Sequence, residues 1–363
     1  MVVFAILLCL SLSYTQNTPN IETIIDVMIK ETPINERIAQ LLMFSIGERQ
    51  VDANSASVHI IQKYQIGGYI YFGGNVQSPE QLAKLSHDLK SYSTKFPLLI
   101  AIDEEGGHTS RLDTYNGFPK TYTAQELGDK NDLNFTKQCG REIGQTLRKA
   151  GIDINFAPSV DVNINPSNPI IGGVHRSFSA NCTKVALHAE AFIDGMHESN
   201  VYSSIKHYPG HGSSLGDSHS GSVDVTKTFH REEELYPYKA LANKTDLVMT
   251  AHVFNSAIDP MHPATVSYLT ITGILRNELH FDGVVITDSL TMGAITQNYK
   301  YDEAVVLALN AGNDIILICS SGEGLVTSAI NAISAGLANG IVTEQRINES
   351  FRRVMRLKLK LKN

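Results

Sequence analysis

The sequence predicts a single α/β domain folded as a (β/α)8 barrel of the TIM type. Eight short segments are apolar on both faces, as the strands of a buried parallel sheet are. Helix-like segments alternate with them, which is typical of parallel α/β folds. The chain has 363 residues, enough for one such barrel. The predicted strands are Gln40–Ile46, Gly68–Phe72, Pro97–Ile102, Ile152–Phe156, Tyr202–Ile205, Leu247–Ala251, Gly283–Thr287 and Asp314–Cys319.

The segments between these strands carry apolar residues at helical spacing. In Glu80–Tyr92, for example, Leu82, Leu85 and Leu89 recur every three or four residues, which indicates one buried helix face. An open doubly wound sheet is the alternative, but no G-x-G-x-x-G motif follows the first strand, which disfavours a dinucleotide-binding version. The other predicted helices are Phe135–Ala150, Val185–His197, Tyr301–Ala311, Leu325–Ala338 and the amphipathic tail Arg352–Lys362.

The composition is that of an ordinary globular protein. Apolar residues make up 42% of the chain and charged residues 18%, and the formal net charge is −7. This acidic balance argues against a nucleic-acid partner, which would require basic surface to contact phosphates. Beyond the amino terminus no segment reaches the roughly 18 consecutive apolar residues of a membrane span, so we expect none. Nothing in the sequence indicates an oligomeric state.

The amino terminus has the features of a secretory signal peptide. Residues Val2–Leu12 are almost all apolar, and Ser11 and Ser13 place small residues at positions −3 and −1 of a cleavage site. We therefore expect residues 1–13 to be removed and residues 14–363 to form the mature domain, which is secreted or lumenal. The alternative interpretation is a buried amino-terminal strand or helix.

Sequons and cysteines are the features that export would affect. Four N-x-S/T sequons become candidates for glycosylation in surface loops. Cys9 would leave with the signal peptide, and Cys139 and Cys182 would either form a disulfide or stay free. Cys319 ends an apolar strand and is expected to be a buried free thiol. The sequons begin at Asn134, Asn181, Asn243 and Asn348.

Ionisable residues follow several of the predicted strands. Strand three runs into Asp103–Glu105, strand five into Lys206 and His207, strand six into His252, and strand seven into Asp288. Such groups are costly to bury unless they are paired or used. In a parallel barrel the carboxyl ends of the strands carry the chemistry. Four such ends at one mouth therefore favour an active site over four unrelated salt bridges.

Two of these segments have a specific mechanical interpretation. A carboxylate held rigidly at the end of a strand, as Asp288 is, can serve as a nucleophile, a general base or a partner for a substrate hydroxyl. The loop Pro209–Gly221 contains four glycines, so we expect it to be mobile. It also contains Asp217 and His219, which are close enough for the carboxylate to orient the imidazole. His219 is therefore a candidate acid/base delivered by a loop.

A metal site is the alternative interpretation of this region. His207, His211, Asp217 and His219 are potential zinc ligands. Their spacing matches no H-E-x-x-H helix, and the intervening Gly and Pro residues prevent presentation on one helical face. We therefore predict no metal ion and no organic cofactor.

Taken together, these segments resemble glycoside hydrolase family 3, in particular its single-domain β-N-acetylhexosaminidases. The resemblance covers roughly residues 35 to 360, in order. The most specific match is Lys206-His-Tyr-Pro-Gly-His-Gly212 followed by Asp217-Ser-His219. The remaining matching segments are 101–111, 154–161, 176–179, 262–267 and 283–294.

The resemblance implies a role for each matching residue. Asp288 matches the catalytic nucleophile, and His219 matches a loop general acid/base with Asp217 as its partner. Five further residues match those that hold the terminal sugar, where a carboxylate accepts hydrogen bonds from hydroxyls and cationic side chains donate them. These sugar-binding residues are Asp103, Arg111, Arg176, Lys206 and His207.

The chain departs from the family pattern at two positions. Ser289 stands where many relatives repeat an acidic residue after the nucleophile, and His108 stands where relatives often have Arg. The second departure affects the edge of the sugar pocket. In many glucosidases of the family an acidic residue from outside the barrel supplies the acid, whereas here we expect it to come from the barrel itself.

The expected function is exo-hydrolysis, with retention, of a terminal β-linked N-acetylglucosamine by a carbohydrate-specific catalytic domain spanning residues 14–363. Three alternatives stay open: a β-glucosidase, a phosphorylase that uses phosphate in place of water, and a catalytically silent carbohydrate-binding barrel. If His219 is not the acid/base, Glu104 and Glu105 are the next candidates.

Overall fold

The computed structural model describes residues 20–361. The predicted signal peptide 1–13, with Cys9, lies outside the described residues. Within them, the sheet and its surrounding helices make one continuous architecture from Ile21 to Lys360.

The central sheet contains eight parallel strands in the sequence order of a barrel. Seven strands fall inside predicted apolar segments, and β5 starts at the predicted Tyr202 but extends beyond Ile205 to Tyr208. Neighbouring strands pair in parallel. The strands are β1 Leu42–Ser45, β2 Gly68–Tyr71, β3 Leu99–Ile102, β4 Ile154–Asn155, β5 Tyr202–Tyr208, β6 Leu247–Thr250, β7 Val284–Thr287 and β8 Ile316–Ile318.

The last two strands close this sheet into a barrel. β8 pairs with β1 along three residues, from Leu42 with Ile316 to Phe44 with Ile318. On its other side, Ile315, immediately before β8, forms a parallel bridge with Ile286 of β7. The predicted TIM barrel is therefore confirmed, and the open doubly wound sheet is excluded because its edges would stay unpaired.

Helices cover the outside of the barrel. All six predicted helices are present. Tyr301–Ala311 agrees with its prediction at both ends, and the boundaries of four others are shifted by a few residues. The tail helix begins earlier than predicted. They are Pro79–Tyr92, Leu133–Lys149, Cys182–Glu198, Tyr301–Ala311, Glu323–Ala338 and Glu344–Lys360. The structure adds the α-helices Ile21–Glu31, Ile34–Ala39, Ala56–Tyr64, Ala124–Lys130, Arg231–Leu241 and Gly293–Thr296, and the π-helix Leu269–Glu278.

A small second sheet links two connections at the carboxyl end of the barrel. Val223–Asp224, in the connection after β5, pairs in parallel with Val253–Phe254, in the connection after β6. Val223 and Val253 are buried in a separate apolar cluster there. This cluster fixes the segment that follows the predicted acid/base in the connection after β5.

The cysteines and sequons have defined surroundings. Cys139, Cys182 and Cys319 are free thiols, so the disulfide alternative is not the one found. Cys319 is only partly buried by surface area, because its side chain borders a cavity. Asn181 and Asn243 lie outside helical interiors and are exposed, as expected of sequons, whereas Asn134 and Asn348 lie within helices.

No helix within residues 20–361 has both the length and the apolar character needed to cross a bilayer.

Candidate active site

A cavity of about 340 Å³ opens at the carboxyl ends of the barrel strands. Seven of the eight predicted site residues line it, and the eighth, Asp217, is hydrogen-bonded to His219. Sequence reasoning therefore located the site through the ends of the strands. The lining residues that it predicted are Asp103, Arg111, Arg176, Lys206, His207, His219 and Asp288.

Asp288 is held at the end of β7 by hydrogen bonds to its main chain and side chain. Its backbone N–H donates to the carbonyl oxygen of Thr250 in β6 at 2.9 Å, and its Oδ1 accepts from the N–H of Ser289 at 2.7 Å. The side chain is half-buried in the cavity wall. A carboxylate fixed in this way needs little reorganisation to reach a bound sugar.

His252, the candidate at the end of β6, does not line the cavity but lies next to the strand end that carries Asp288. It is buried, and its Nε2 lies 2.8 Å from the carbonyl oxygen of Ser289, the residue after Asp288. Its Nδ1 lies 2.9 Å from Oγ1 of Thr265. Burial lowers the pKa of His252, which keeps the ring neutral. His252 therefore braces the strand end that carries Asp288.

Asp217 and His219 form a local pair within the loop after β5. Oδ1 of Asp217 accepts from the backbone N–H of His219 at 2.8 Å and lies 2.6 Å from its Nδ1. Burial by itself would raise the pKa of Asp217, but these bonds from His219 hold that pKa below its usual value. With Nδ1 bound to the carboxylate, Nε2 is the nitrogen that remains free to exchange a proton with a ligand.

The glycines of this loop allow close packing at its base. A Cβ on Gly212 would lie 1.8 Å from the carbonyl oxygen of Val162, and one on Gly210 would lie 2.7 Å from Oε2 of Glu234. Gly210 also has a φ of +141°, which side-chain-bearing residues rarely adopt. The sequence interpretation took these glycines as a sign of mobility, and the structure gives two of them a packing role.

A chain of alternating charges forms one wall of the cavity. Nζ of Lys206 lies 2.7 Å from Oδ1 of Asp103 and 2.7 Å from Oε1 of Glu105. Arg111 adds a longer contact to Asp103, at 3.4 Å, and Arg176 binds both carboxylate oxygens of Glu105, at 2.7 and 2.8 Å. Burial opposes ionisation of both acids, but these cations hold the pKa of Asp103 and of Glu105 below their usual values.

Asp161 is a site residue that the sequence analysis did not assign. It is fully buried, and its Oδ2 lies 2.6 Å from Nδ1 of His207. On the other side of the ring, Nη2 of Arg176 lies 3.1 Å from Nε2 of His207. Because a guanidinium can only donate, Nε2 accepts and Nδ1 carries the proton. Burial by itself would raise the pKa of Asp161, but the contact with His207 lowers that pKa to about 2.

Glu104 and Glu105, the reserve candidates for the acid/base, are engaged elsewhere. Glu105 is bound by Arg176 and Lys206. Oε2 of Glu104 accepts from the backbone N–H groups of Arg111 and Leu112, at 2.9 and 3.1 Å. Its side chain lines a different, smaller cavity, and burial raises its pKa to about 7. Glu104 thus supports the segment that presents Arg111.

The four potential zinc ligands have separate partners. His211 is buried, with Nδ1 2.6 Å from Oγ of Ser214 and Nε2 3.3 Å from Oγ of Ser218, and burial lowers its pKa to about 4. His207 and His219 each bind a different aspartate. Among residues 20–361, no group of three or more His, Cys, Asp or Glu side chains is placed to share a metal ion.

The two departures from the family pattern differ in consequence. Ser289 lines the cavity, and its Oγ accepts from the backbone N–H of Cys319 at 3.0 Å, so it fastens the end of β8 to that of β7. His108 is exposed and packs against the ring of His175, with centroids 5.9 Å apart. It does not line the cavity.

The remaining lining residues of the cavity could not be predicted from the positions of ionisable residues in the sequence. Apolar and small polar side chains complete the cavity wall, and they carry no chemical signal in the sequence that separates them from ordinary core residues. They are Ile70, Phe72, Thr109, Met249, Thr291, Met292, Leu317 and Cys319.

Comparison with known families agrees with this geometry. Residues 33–357 match the family described as glycosyl hydrolase family 3 N-terminal domain. The chain belongs to this family. The resemblance deduced from the sequence motifs is therefore confirmed, and the cavity lies where TIM-barrel enzymes carry their active sites.

Several family 3 proteins are similar to this chain over most of its length. β-Hexosaminidase A of Pseudoalteromonas piscicida is 33% identical over 328 residues, which cover 83% of this chain and 54% of that protein. A β-hexosaminidase of Idiomarina loihiensis is 35% identical over 291 residues, which cover 78% of this chain and 84% of that protein. The structure of a family 3 β-N-acetylglucosaminidase from Paenibacillus sp. has a TM-score of 0.85 and 37% identity, covering 90% of this chain and 62% of that one. The chain thus spans about half of the first relative.

Proposed function

We propose that the protein is a retaining exo-β-N-acetylglucosaminidase. The observation that carries the proposal is that one cavity contains a fixed carboxylate, Asp288, and an imidazole, His219, whose Nδ1 is bound by Asp217. The names of its relatives, β-hexosaminidase and β-N-acetylglucosaminidase, support the choice of sugar.

In the first step of this reaction, a carboxylate oxygen of Asp288 attacks the anomeric carbon. The bond from that carbon to the leaving oxygen breaks, and Nε2–H of His219 gives its proton to the leaving oxygen. Asp217 accepts from Nδ1–H, which orients the ring and leaves Nε2–H as the proton donor. The product of the step is a glycosyl-enzyme ester.

In the second step, the now neutral Nε2 of His219 removes a proton from water. The water oxygen forms the new bond to the anomeric carbon, and the carboxylate of Asp288 leaves with its electron pair. Two displacements at the same carbon give net retention. Most retaining glycosidases use a second carboxylate for the acid/base, but an imidazole can donate a proton in one step and accept one in the next.

The charged wall of the cavity accounts for recognition of a terminal sugar. Asp103 can accept hydrogen bonds from sugar hydroxyls, while Arg111 and Lys206 donate them. Ile70 and Leu317, which belong to the buried strands β2 and β8, also line the cavity. Exo action on the terminal unit of a saccharide is part of this proposal.

The decisive assay compares matched aryl β-N-acetylglucosaminide and aryl β-glucoside substrates, each with and without inorganic phosphate. We expect release from the N-acetylglucosaminide, independent of phosphate, in the wild type and near-complete loss in Asp288→Asn. Asp129→Asn, the same change at an exposed site on helix Ala124–Lys130, is the matched control and should keep full activity. Preference for the glucoside, dependence on phosphate, or no turnover would support the glucosidase, the phosphorylase or the binding barrel, respectively.

We propose further that the protein is exported and that residues 1–13 are removed. The support is the apolar run Val2–Leu12 with small residues before the cleavage site. The amino-terminal residue of the protein taken from its source organism should then be Tyr14. Recovery of a chain that begins before the apolar run would contradict export by this route.

A further inference from the structure

The loop that carries His219 lies against the segment that follows Asp288 in the chain. The backbone N–H groups of Gly293 and Ala294 donate to the carbonyl oxygens of His219 and Ser218, each at 3.2 Å. These bonds join the tip of the loop after β5 to the start of helix Gly293–Thr296. That helix begins only five residues after Asp288.

Two side chains extend this contact along the same segment. Nε2 of Gln297 donates to the carbonyl oxygen of Ser220 at 3.1 Å, and Nδ2 of Asn298 donates to Oγ of Ser222 at 2.9 Å. Both amide side chains are exposed at the surface of the protein. We call residues 293–298 the docking segment.

Gly293 lets the two backbones approach to direct contact. A Cβ at this position would lie 2.8 Å from the carbonyl oxygen of His219 and 3.1 Å from the carbonyl carbon of Ser220. These atoms belong to main chain, so a side chain at position 293 would displace the residue that carries the imidazole. The backbone of the docking segment is therefore in direct contact with the backbone of His219 itself.

We propose that the docking segment positions His219 relative to Asp288, and that Gly293, Gln297 and Asn298 are its positioning residues. The proposal rests on the proposed function, in which both side chains act on one anomeric centre. The nucleophile and the docking segment belong to the same connection after β7. The loop that carries the acid/base thus contacts directly the connection that carries the nucleophile. The rest of the barrel contributes to their alignment only indirectly.

The base of the loop has its own, separate attachments. Oδ1 of Asp161 accepts from the N–H of His211 at 2.7 Å, and Nδ2 of Asn168 donates to the carbonyl oxygen of His211 at 2.7 Å. These contacts fix the start of the loop, eight residues before His219, and a longer contact from Nε2 of His211 to Oγ of Ser218, at 3.3 Å, extends toward the tip. Loss of the docking contacts should therefore displace His219 while leaving the sugar-binding wall and Asp288 in place.

The first test uses the double variant Gln297→Ala/Asn298→Ala, with Thr296→Ala as the matched control. Thr296 is an exposed neighbour whose hydroxyl donates to the carbonyl oxygen of Met292, the N-cap of the same helix, and not to the loop after β5. For substrates with alkyl or sugar aglycones, the double variant should lose roughly tenfold in kcat/KM, since two hydrogen bonds that align the acid are gone. For activated aryl substrates, kcat/KM should stay within about twofold of wild type, because bond breaking then needs little acid.

The second test uses Gly293→Ala and a readout of the nucleophile alone. The variant should show a larger loss with poor leaving groups than the double variant does. The rate at which an activated fluorosugar labels Asp288 should be unchanged, because that step does not need the acid. Added azide should restore part of the steady-state rate with activated substrates, since azide needs no base.

The outcomes separate this proposal from the proposed function. If His219→Ala shows a strong leaving-group dependence but the double variant and Gly293→Ala do not, the positioning role is overturned and the acid/base role stands. If His219→Ala itself shows no such dependence, the acid/base role fails first. Should Gly293→Ala not fold, the exposed Gln297 and Asn298 still decide the question, and equal losses for all leaving groups in the double variant would contradict the proposal.

Discussion

The imidazole of His219 is the residue whose chemistry can be isolated most cleanly. A general acid matters most when the leaving group is poor, because proton donation then carries much of the barrier. His219→Ala should therefore slow substrates with alkyl or sugar aglycones by several orders of magnitude and activated aryl substrates far less. With activated substrates the glycosyl-enzyme should accumulate, giving a burst followed by slow turnover that azide accelerates. Steady-state and pre-steady-state kinetics over a leaving-group series measure this.

Substitution of Asp217 should give a weaker form of the same kinetic pattern. Asp217→Ala removes the carboxylate that binds Nδ1 of His219 but leaves the imidazole, so the same pattern should appear more weakly. A uniform rise of KM in His219→Ala, with no leaving-group dependence, would instead make the residue a sugar contact. Glu104 and Glu105 could not then replace it, since neither is free to act in the cavity.

At the residue scale the sequence identified what stands at strand ends but not what each side chain binds. Asp288, Lys206 and His207 were predictable because ionisable residues interrupt apolar strands. The pairing of Arg176 with Glu105, and of His207 with Asp161, was not, because these partners lie 71 and 46 residues apart in the chain. Such contacts are set by which connections meet at the barrel mouth.

The connection after β3 depends on Glu104, and this dependence should vary with pH. Burial raises the pKa of Glu104 to about 7 from 4.5 in the unfolded chain. Its contribution to stability is fully present below about pH 4.5 and is lost as the pH rises through 7. Glu104→Gln keeps an oxygen acceptor for the N–H groups of Arg111 and Leu112 but cannot ionise. The variant should lie within about 1 kcal/mol of wild type at pH 5 and gain up to about 3 kcal/mol over it by pH 8.

Thermal unfolding of both proteins from pH 5 to pH 8 measures this difference. Glu142→Gln is the matched control, since Glu142 is exposed at the rim of the same small cavity and should give a pH-independent difference. A stability difference between Glu104→Gln and wild type that does not change over this range would show that Glu104 is ionised in the folded protein as it is in the unfolded chain, and would contradict the raised pKa.

Elements differed in how well their sequence predicted them. The eight strands were predictable because they are buried on both faces and therefore apolar throughout. Helix Arg231–Leu241 was not predicted, since three glutamates follow Arg231 in its first turn and it contains Pro237. One of those glutamates, Glu234, is buried, with Oε1 accepting from the N–H of His230 at 3.1 Å. A pattern based on polarity assigns such a residue to the surface.

For the molecule as a whole, the proposed function predicts strict exo action. The cavity at the barrel mouth, with Ile70, Met249 and Leu317 among its lining residues, would then accept the terminal sugar of a chain. From an N-acetylglucosamine oligomer labelled at its reducing end, single sugars should be released from the other end, giving labelled products that shorten by one unit at a time. Mass spectrometry of a time course checks this, and early appearance of short labelled products without the intermediate lengths would contradict it.

The central claim is that Asp288 forms a covalent bond to the sugar, and trapping that bond tests it most directly. An activated fluorinated N-acetylglucosamine analogue should inactivate the wild-type protein with one sugar bound per chain. Peptide mass spectrometry should then locate the sugar on Asp288, and Asp288→Asn should remain unlabelled. A sugar found on another residue, or product of inverted configuration with no trapped species, would contradict the account.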